Sequence, residues 1–248
     1  MNIEVSIIMP AYNAEKYIDV AIKSVLEQTY DEWILYVIDD GSADNTVGVI
    51  EKFSSIEGRI RLIQLNENKG IANARNIALE QINSKFIAFL DSDDYWHPEK
   101  LEKQLSFMIN NNYYFTFTDY YLINEEGKQV GEVQGNNVTV LDYKELLKTN
   151  RIGCLTVILN REKLNNIQFN KIRHEDYNLW LDLLKTNNVC AFRFPEKLSY
   201  YRKSSTSVSG NKIKSVLWVW TIIRKGQKFS FTESLWIFSK YIYYTFRK

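Results

Sequence analysis

Four short polar runs, each directly after an apolar stretch, hold most of the side chains able to do chemistry. They are Pro10-Ala11-Tyr12-Asn13, Asp39-Asp40-Gly41-Ser42, Asn66-Glu67-Asn68-Lys69-Gly70 and Asp91-Ser92-Asp93-Asp94. If the apolar stretches are strands of an open parallel sheet, these runs lie beyond the carboxyl ends of the strands, where such sheets bind ligands. The acidic run is the most specific of them. Carboxylates one residue apart offer hard oxygen atoms to a cation, or a cap to the next helix, and a position after a buried strand favours the cation. A second acidic constellation, His174-Glu175-Asp176, opens a stretch of helical periodicity. A carboxylate there can take a proton from a hydroxyl or cap the helix.

Two alternating periods set those positions. Residues 5–9 form a continuous apolar run that stops at Pro10, and residues 14–28 then repeat apolar side chains at helical spacing through Tyr17, Ile18, Ala21, Ile22, Val25 and Leu26. The pair recurs as 33–38 with 44–53, 60–65 with 70–82, and 86–90 with 98–110. Four such units in series predict a parallel sheet with crossover helices, because parallel neighbours need a long connection. Ser42 and Asp44 offer capping oxygens to the second helix, and Pro98 suits the first turn of the fourth. After Asn112 the rhythm changes. Aromatic, β-rich residues 113–123 and 129–140, around the turn signal Glu126-Gly127-Lys128, predict a hairpin-like addition. Residues 156–159 predict a short strand, 175–186 a helix and 191–201 a last extended segment.

Taken together and in this order, the segments resemble glycosyltransferase family 2, inverting enzymes on the GT-A fold, and within it the bacterial polysaccharide and teichuronic-acid type. The resemblance spans roughly residues 3–208. It implies a Rossmann-like, mostly parallel α/β sheet with crossover helices. Residues 1–208 would form the catalytic domain, with 1–112 as its nucleotide-sugar-binding half and 113–208, carrying a small β-rich insertion, as its acceptor-binding half. Residues 209–248 would add amphipathic C-terminal helices. No Gly-rich dinucleotide fingerprint follows the first strand, which counts against a dehydrogenase of the Rossmann type.

By the same resemblance, Asp91-Ser92-Asp93 is the family's Asp-X-Asp motif. A nucleotide diphosphate is anionic, so carboxylates need a hard divalent cation, Mn2+ or Mg2+, to hold it. Asp93 is implied as the direct ligand, and Asp91 as a second carboxylate nearer the ribose or a metal-bound water. Asp39 is implied to accept from a uracil imide N–H, and the Pro10, Ala11, Tyr12 and Asn13 segment to cradle base and ribose, with the Tyr12 ring stacking. Arg75 matches an arginine that faces the nucleotide, with a surface ion pair as the other reading, and Lys69 and Gly70 join the same binding set. Asp176 is implied as the general base of a single inverting displacement. No second carboxylate claims the nucleophile's place in a retaining mechanism. Where relatives often carry a histidine, this chain has Lys203-Ser204-Ser205 after Arg202, so Arg202 and Lys203 are read as closing on the diphosphate as a lid. The expected donor is a UDP-hexose or UDP-hexosamine, and the expected acceptor a free or polyprenyl-diphosphate-linked oligosaccharide. Two further readings stay open: a catalytically silent nucleotide-sugar-binding scaffold, and a sugar nucleotidyltransferase. The latter would normally bring a Gly-rich, basic phosphate loop, which Pro10 to Asn13 is not.

Composition bounds the rest. Thirty-one Lys and Arg nearly cancel thirty Asp and Glu over 248 residues, so no global field points to nucleic acid. Cys154 and Cys190 have neither metal-ligand nor disulfide-framework spacing and are expected as buried thiols. The first ten residues lack the pattern of a secretory leader, and no run of about 18 apolar residues predicts a spanning helix. The expected location is the cytoplasm, peripheral to the inner membrane face if the tail reaches it. That tail gathers Trp218, Trp220, Trp236, Tyr241, Tyr243, Tyr244 and Phe246 beside Lys225, Lys228, Lys240, Arg247 and Lys248. It suits a helix lying in a bilayer interface, or rings packed on the catalytic domain or on a second copy in a homo-oligomer.

Overall fold

The computed structural model describes residues 4–135, 138–203 and 212–246, with the side chains of 212–215 and 246 excepted. The first strand–helix units form as the periodicity predicts. Strand β1 (Val5–Ala11) is buried along its whole length, and helix α1 (Ile18–Leu26) turns Ile18, Ala21, Ile22 and Val25 inward at helical spacing. Then come β2 (Trp33–Asp39), α2 (Thr46–Ser54), β3 (Ile60–Gln64), α3 (Ile71–Gln81), β4 (Phe86–Phe89), β5 (Tyr95–Trp96) and α4 (Lys100–Asn110). The second half supplies β6 (Phe115–Ile123), β7 (Gln129–Val133), β8 (Val140–Leu141), α5 (Tyr143–Lys148), β9 (Ile158–Asn160), α6 (Glu175–Thr186) and β10 (Ala191–Arg202). Helices α7 (Lys212–Thr221) and α8 (Phe231–Phe246) follow, with a π-helical turn at Ile222–Gly226 between them.

All ten strands join one sheet in the order β3-β2-β1-β4-β9-β6-β10-β5, with β7 added beside β6 and β8 beside β10. Strands β3, β2, β1 and β4 run parallel, and β9 runs against both β4 and β6. Because β10 is parallel to β6, both point the same way as β4. The carboxyl ends of β1, β2, β4, β6 and β10 therefore lie along one edge, and the mostly parallel α/β architecture is as expected.

Alternation along the strands splits the interior into two cores. Ile8, Ile38 and Phe89 face one side with α3, α5 and α6, while Ile7, Val37 and Ala88 face the other with α1 and α4. The first core centres on Trp180, whose ring lies 5.8 Å from that of Phe89 and 5.2 Å from that of Phe115.

Four expectations need correction. Strand β6 is no peripheral addition: it pairs with β9 and β10 inside the main sheet, and only β7 is the added hairpin strand. The strand expected at 156–159 starts two residues later, because Cys154–Thr156 forms a 3-10 turn. Ser42 does not cap α2; its hydroxyl accepts the Asn13 N–H at 2.9 Å and so ties the β1 and β2 loops together. Cys154 is buried, but Cys190 is only partly so.

The loop after β2 is fastened on both sides. The Asp40 N–H donates to the Ala11 carbonyl at 2.8 Å, and the Asp40 carboxylate accepts the N–H groups of Lys69 and Gly70 at 2.9 and 2.7 Å. Between them Gly41 has φ +73°, and a Cβ there would come within 2.8 Å of the Glu67 carbonyl carbon. Gly41→Ala is expected to lose about 1–3 kcal/mol from backbone strain alone, seen as a lower urea midpoint at unchanged slope. Gly58→Ala, where an added Cβ meets nothing within 4 Å, is the control and stays neutral or slightly stabilising.

Candidate active site

The sheet edge brings most of the predicted residues into one region. Pro10 and Ala11 are buried within β1 itself, while Tyr12 and Asn13 emerge from it. Asn13 adopts left-handed φ 48° and accepts the Ala43 N–H through its side chain at 2.8 Å. Asp39 closes β2 at 0% exposure. One of its carboxylate oxygens accepts the Ser42 N–H at 3.2 Å, and the other is buried with no partner. A buried acceptor left open costs about 1–3 kcal/mol, so a ligand N–H placed there would be well received. Lys69 turns its ammonium to Glu67 at 3.2 Å, and Gly70 serves through its backbone N–H, held by Asp40.

The acids at the end of β4 and the start of α6 meet through one side chain. Arg75, at 1% exposure on α3, donates from Nη2 to Asp91 Oδ1 at 2.6 Å and from Nη1 to Glu175 Oε1 at 2.7 Å. The ion pairing is not the surface contact of the second reading, since the guanidinium is buried and both terminal nitrogens are held by carboxylates. Beside Glu175, Asp176 accepts its neighbour Tyr177's N–H at 2.7 Å and, among the described residues, forms no salt bridge. Burial, then the Glu175 charge, push the Asp176 carboxyl up to about 7, against the opposing pull of Arg75.

Arg202 also differs from expectation. At 5% exposure it donates from Nε to the Asp93 carbonyl at 2.8 Å and from Nη1 to the Asn124 and Glu125 carbonyls at 3.0 Å, and it lies 4.3 Å above the Tyr17 ring. The ends of β4, β6 and β10 converge there, so the guanidinium satisfies their carbonyls instead of reaching out to a diphosphate. Lys203 does project outward, its backbone N–H bonded to the Ile123 carbonyl at 2.8 Å. Ser204 and Ser205, the rest of the expected lid, lie outside the described residues.

Two acids given no role from sequence belong to the site. Glu175 is the Arg75 partner just described. Asp94 is buried, accepts the Arg202 N–H at 2.7 Å through one oxygen and leaves the other unpartnered. The four-residue run Asp91-Ser92-Asp93-Asp94 was the available signal for it. Burial, followed by Asp93 and Asp91, pushes the Asp94 carboxyl well up. Asp93 stands at the rim with solvent on its surface, yet the surrounding protein, then Asp91, raise it to about 6. Five carboxylates thus share the region with two guanidiniums.

Among the described residues no three His, Cys, Asp or Glu side chains are grouped to hold a metal by themselves. Asp91 and Asp93 nevertheless offer hard oxygens beside three further carboxylates. That donor set fits Mg2+ or Mn2+, which are commonly held by one or two carboxylates with water and substrate phosphate completing the shell.

The fold binds the Asp176 proton with a pKa of about 7 against an ordinary 3.8, so ionising it costs stability as pH rises through that window. Asp176→Asn is therefore expected to be more stable than the parent at pH 8. The gain is on the order of 1–3 kcal/mol after discounting for solvent access. In thermal melts the gap should open from about pH 4 and level off above about pH 7; a variant less stable at every pH refutes the assignment.

Comparison with known proteins gives the family. The family model described as glycosyl transferase family 2 matches residues 6–178. The chain is 46% identical over 219 residues to WfgD of Escherichia coli, a UDP-Glc:alpha-D-GlcNAc-diphosphoundecaprenol beta-1,3-glucosyltransferase, across 88% of this chain and 85% of that one. It is 39% identical over 238 residues to TuaG of Bacillus subtilis (strain 168), provisionally named a teichuronic acid biosynthesis glycosyltransferase, across 96% and 94%. In fold it resembles S. aureus TarS 1-349, solved in complex with UDP-GlcNAc, with a TM-score of 0.74 at 22% identity over 98% of this chain and 73% of that one. With most of its length matched, the chain belongs to glycosyl transferase family 2.

Proposed function

We propose that this chain transfers a hexose or hexosamine, with inversion, from a UDP-sugar to a lipid-linked oligosaccharide, with Asp176 as general base and Asp91 and Asp93 holding a divalent cation. One observation carries the proposal: Arg75 joins Asp91, at the carboxyl edge of the sheet, to Glu175, the neighbour of Asp176, so that the acidic motif and the base share one site. The open Asp39 oxygen suits the imide N–H of uracil. Asp91 and Asp93 would hold Mn2+ or Mg2+, which when bound neutralises the departing diphosphate. Asp176, raised to about 7 by burial and by Glu175, would take the proton of an acceptor hydroxyl at neutral pH. WfgD's UDP-Glc donor and diphosphoundecaprenol-linked acceptor support the choice of substrates.

The test is UDP release from UDP-Glc with a GlcNAc-diphospho-lipid acceptor, with Mn2+ and with chelator. Release that requires the ion supports the proposal; binding of UDP without any turnover favours the silent scaffold. Asp176→Asn should lower kcat by about 10²–10⁴ while leaving UDP affinity within a few-fold.

A lipid-anchored acceptor also gives the tail a use. No described helix is long and apolar enough to cross a membrane. Helix α8 presents Phe231, Leu235, Trp236 and Tyr243 outward, Trp236 at 62% exposure with the Lys240 ammonium 3.4 Å from its ring centre. Trp218 of α7 meets His174, immediately before the Glu175-Asp176 pair, at 5.2 Å. An outer face of aromatic and cationic groups suits a bilayer interface, and the contact at His174 sets the same helices beside the base. The parent should co-sediment with phosphatidylglycerol vesicles, and Leu235→Ser with Trp236→Ser should weaken this by about tenfold at unchanged fold. Undiminished sedimentation of that variant sinks the membrane reading.

A further inference from the structure

We propose that Arg173, held against Trp218, binds the diphosphate through which an acceptor sugar is joined to its lipid, and so sets that sugar's hydroxyl beside Asp176. The inference rests on the transfer reading above and names the group of the acceptor that the site reads.

The entry to α6 is shaped around this arginine. His174, the residue before the helix, sits at φ 56°, a left-handed conformation that is strained for a residue with a side chain and persists only where its surroundings enforce it. Here the tail supplies those surroundings. The Trp218 ring of α7 meets the His174 ring edge-on at 5.2 Å, and the Arg173 guanidinium lies over the same indole at 5.6 Å. Two consecutive side chains of the turn thus pack on one ring from a different helix.

Stacking on a ring uses none of a guanidinium's N–H donors. Arg173 is exposed, and among the described residues no carboxylate pairs with it. The nearest acid in sequence, Glu175, is committed to Arg75 at 2.7 Å. A guanidinium steadied by an aromatic ring, with its donors turned to no acid, suits the oxygens of a phosphate. His174 adds no charge near neutrality, because burial lowers its pKa.

The place suits one anion in particular. In a sugar that carries its lipid diphosphate on the anomeric carbon, the attacking hydroxyl and the diphosphate are separated by a single ring. Asp176 stands three residues beyond Arg173, at most about 11 Å of extended chain, so one short segment offers a proton acceptor and a phosphate receptor at the scale of that sugar. Leu217, adjacent to Trp218, is 59% exposed and belongs to the apolar outer face of the tail. Base, cation and apolar face therefore follow the order of hydroxyl, diphosphate and lipid in the acceptor.

The experiment uses two acceptors on the same short lipid, GlcNAc joined through a diphosphate and GlcNAc joined through a neutral glycosidic link, with the parent, Arg173→Gln and Trp218→Leu. Acceptor affinity is measured directly by calorimetry in UDP and Mn2+, and acceptor KM from UDP release. The parent should favour the diphosphate acceptor. Arg173→Gln should weaken that acceptor by about 10- to 100-fold, while the neutral acceptor and UDP change by less than about threefold and the melting point stays in place. Trp218→Leu keeps the charge and removes the ring that steadies it, so it should show the same selective loss at about a few-fold. Equal effects on both acceptors, none included, overturn the proposal. Weaker UDP binding overturns it in favour of the donor diphosphate. Lost co-sedimentation with phosphatidylglycerol vesicles at an unchanged acceptor preference overturns it in favour of a membrane headgroup. Direct binding keeps these results apart from transfer itself: a parent that prefers the diphosphate acceptor through Arg173 yet releases no UDP retires the transfer reading and leaves the diphosphate site standing.

Discussion

Mutual repulsion among carboxylates is the constraint around which this site is built. Asp91, Asp93, Asp94, Glu175 and Asp176 gather at one sheet edge, and two unit charges 4 Å apart repel by about 4 kcal/mol at an effective dielectric of 20. Two buried guanidiniums make the arrangement tolerable. Arg75 bridges Asp91 and Glu175, while Arg202 lends its backbone N–H to Asp94 and its side chain to the carbonyls around Asp93. Neither cation neutralises Asp93 or Asp176 by direct contact, and these are the two acids raised to about 6 and about 7. The fold thus leaves unmet charge at the two acids proposed above as cation ligand and proton acceptor.

Competing effects at the start of α6 can be ranked. The positive end of a helix dipole stabilises a nearby carboxylate by about 0.3–1 kcal/mol, and Glu175 and Asp176 both lie in that first turn. For Asp176 the dipole and Arg75 both favour ionisation, yet its pKa stands some three units above 3.8, equivalent to about 4 kcal/mol in the opposite sense. Desolvation and the adjoining Glu175 charge therefore win. Glu175 has the direct ion pair to Arg75, so of two neighbouring acids on one helix turn, one is paired with a guanidinium and the other has its pKa raised by burial and by its neighbour. Different environments around paired carboxyls are how one site comes to hold both a fixed charge and a proton acceptor.

The strand ends were legible in the sequence because burial and chemistry change together at a single residue: β2 is apolar to Ile38 and acidic at Asp39, and β4 gives way to Asp91. Helix α6 was equally plain, since a continuous helical period begins at Glu175. What stayed hidden depends on partners remote in sequence. Arg202 binds at Asp93 and Asp94 across more than a hundred residues, and Arg75 reaches Glu175 across one hundred. Local pattern shows that such arginines are near strand or helix ends and does not show which carbonyl or carboxylate claims them. Strand β6 was misplaced for the same reason: its aromatic, alternating sequence suits an edge hairpin, and its true neighbours β9 and β10 come later in the chain. Ser42 likewise stands in a capping position by sequence, but Asn13, brought alongside by the sheet, takes its hydroxyl first.

The C-terminal helices illustrate why composition could not choose between packing and a membrane. Val219, Ile222, Ile223, Ile237 and Tyr241 enter the same core as Trp180, so the inner face of the tail is part of the catalytic domain's interior. The outer face keeps Leu217, Phe231, Leu235, Trp236 and Tyr243 in solvent. A helix that is apolar on both faces has one face more than its own domain can cover, and soluble surfaces seldom leave such a patch without a use. The two expectations for the tail were therefore not exclusive. Packing accounts for one face, and because that packing runs to the His174–Trp218 contact, whatever meets the other face is held in register with the Glu175-Asp176 pair.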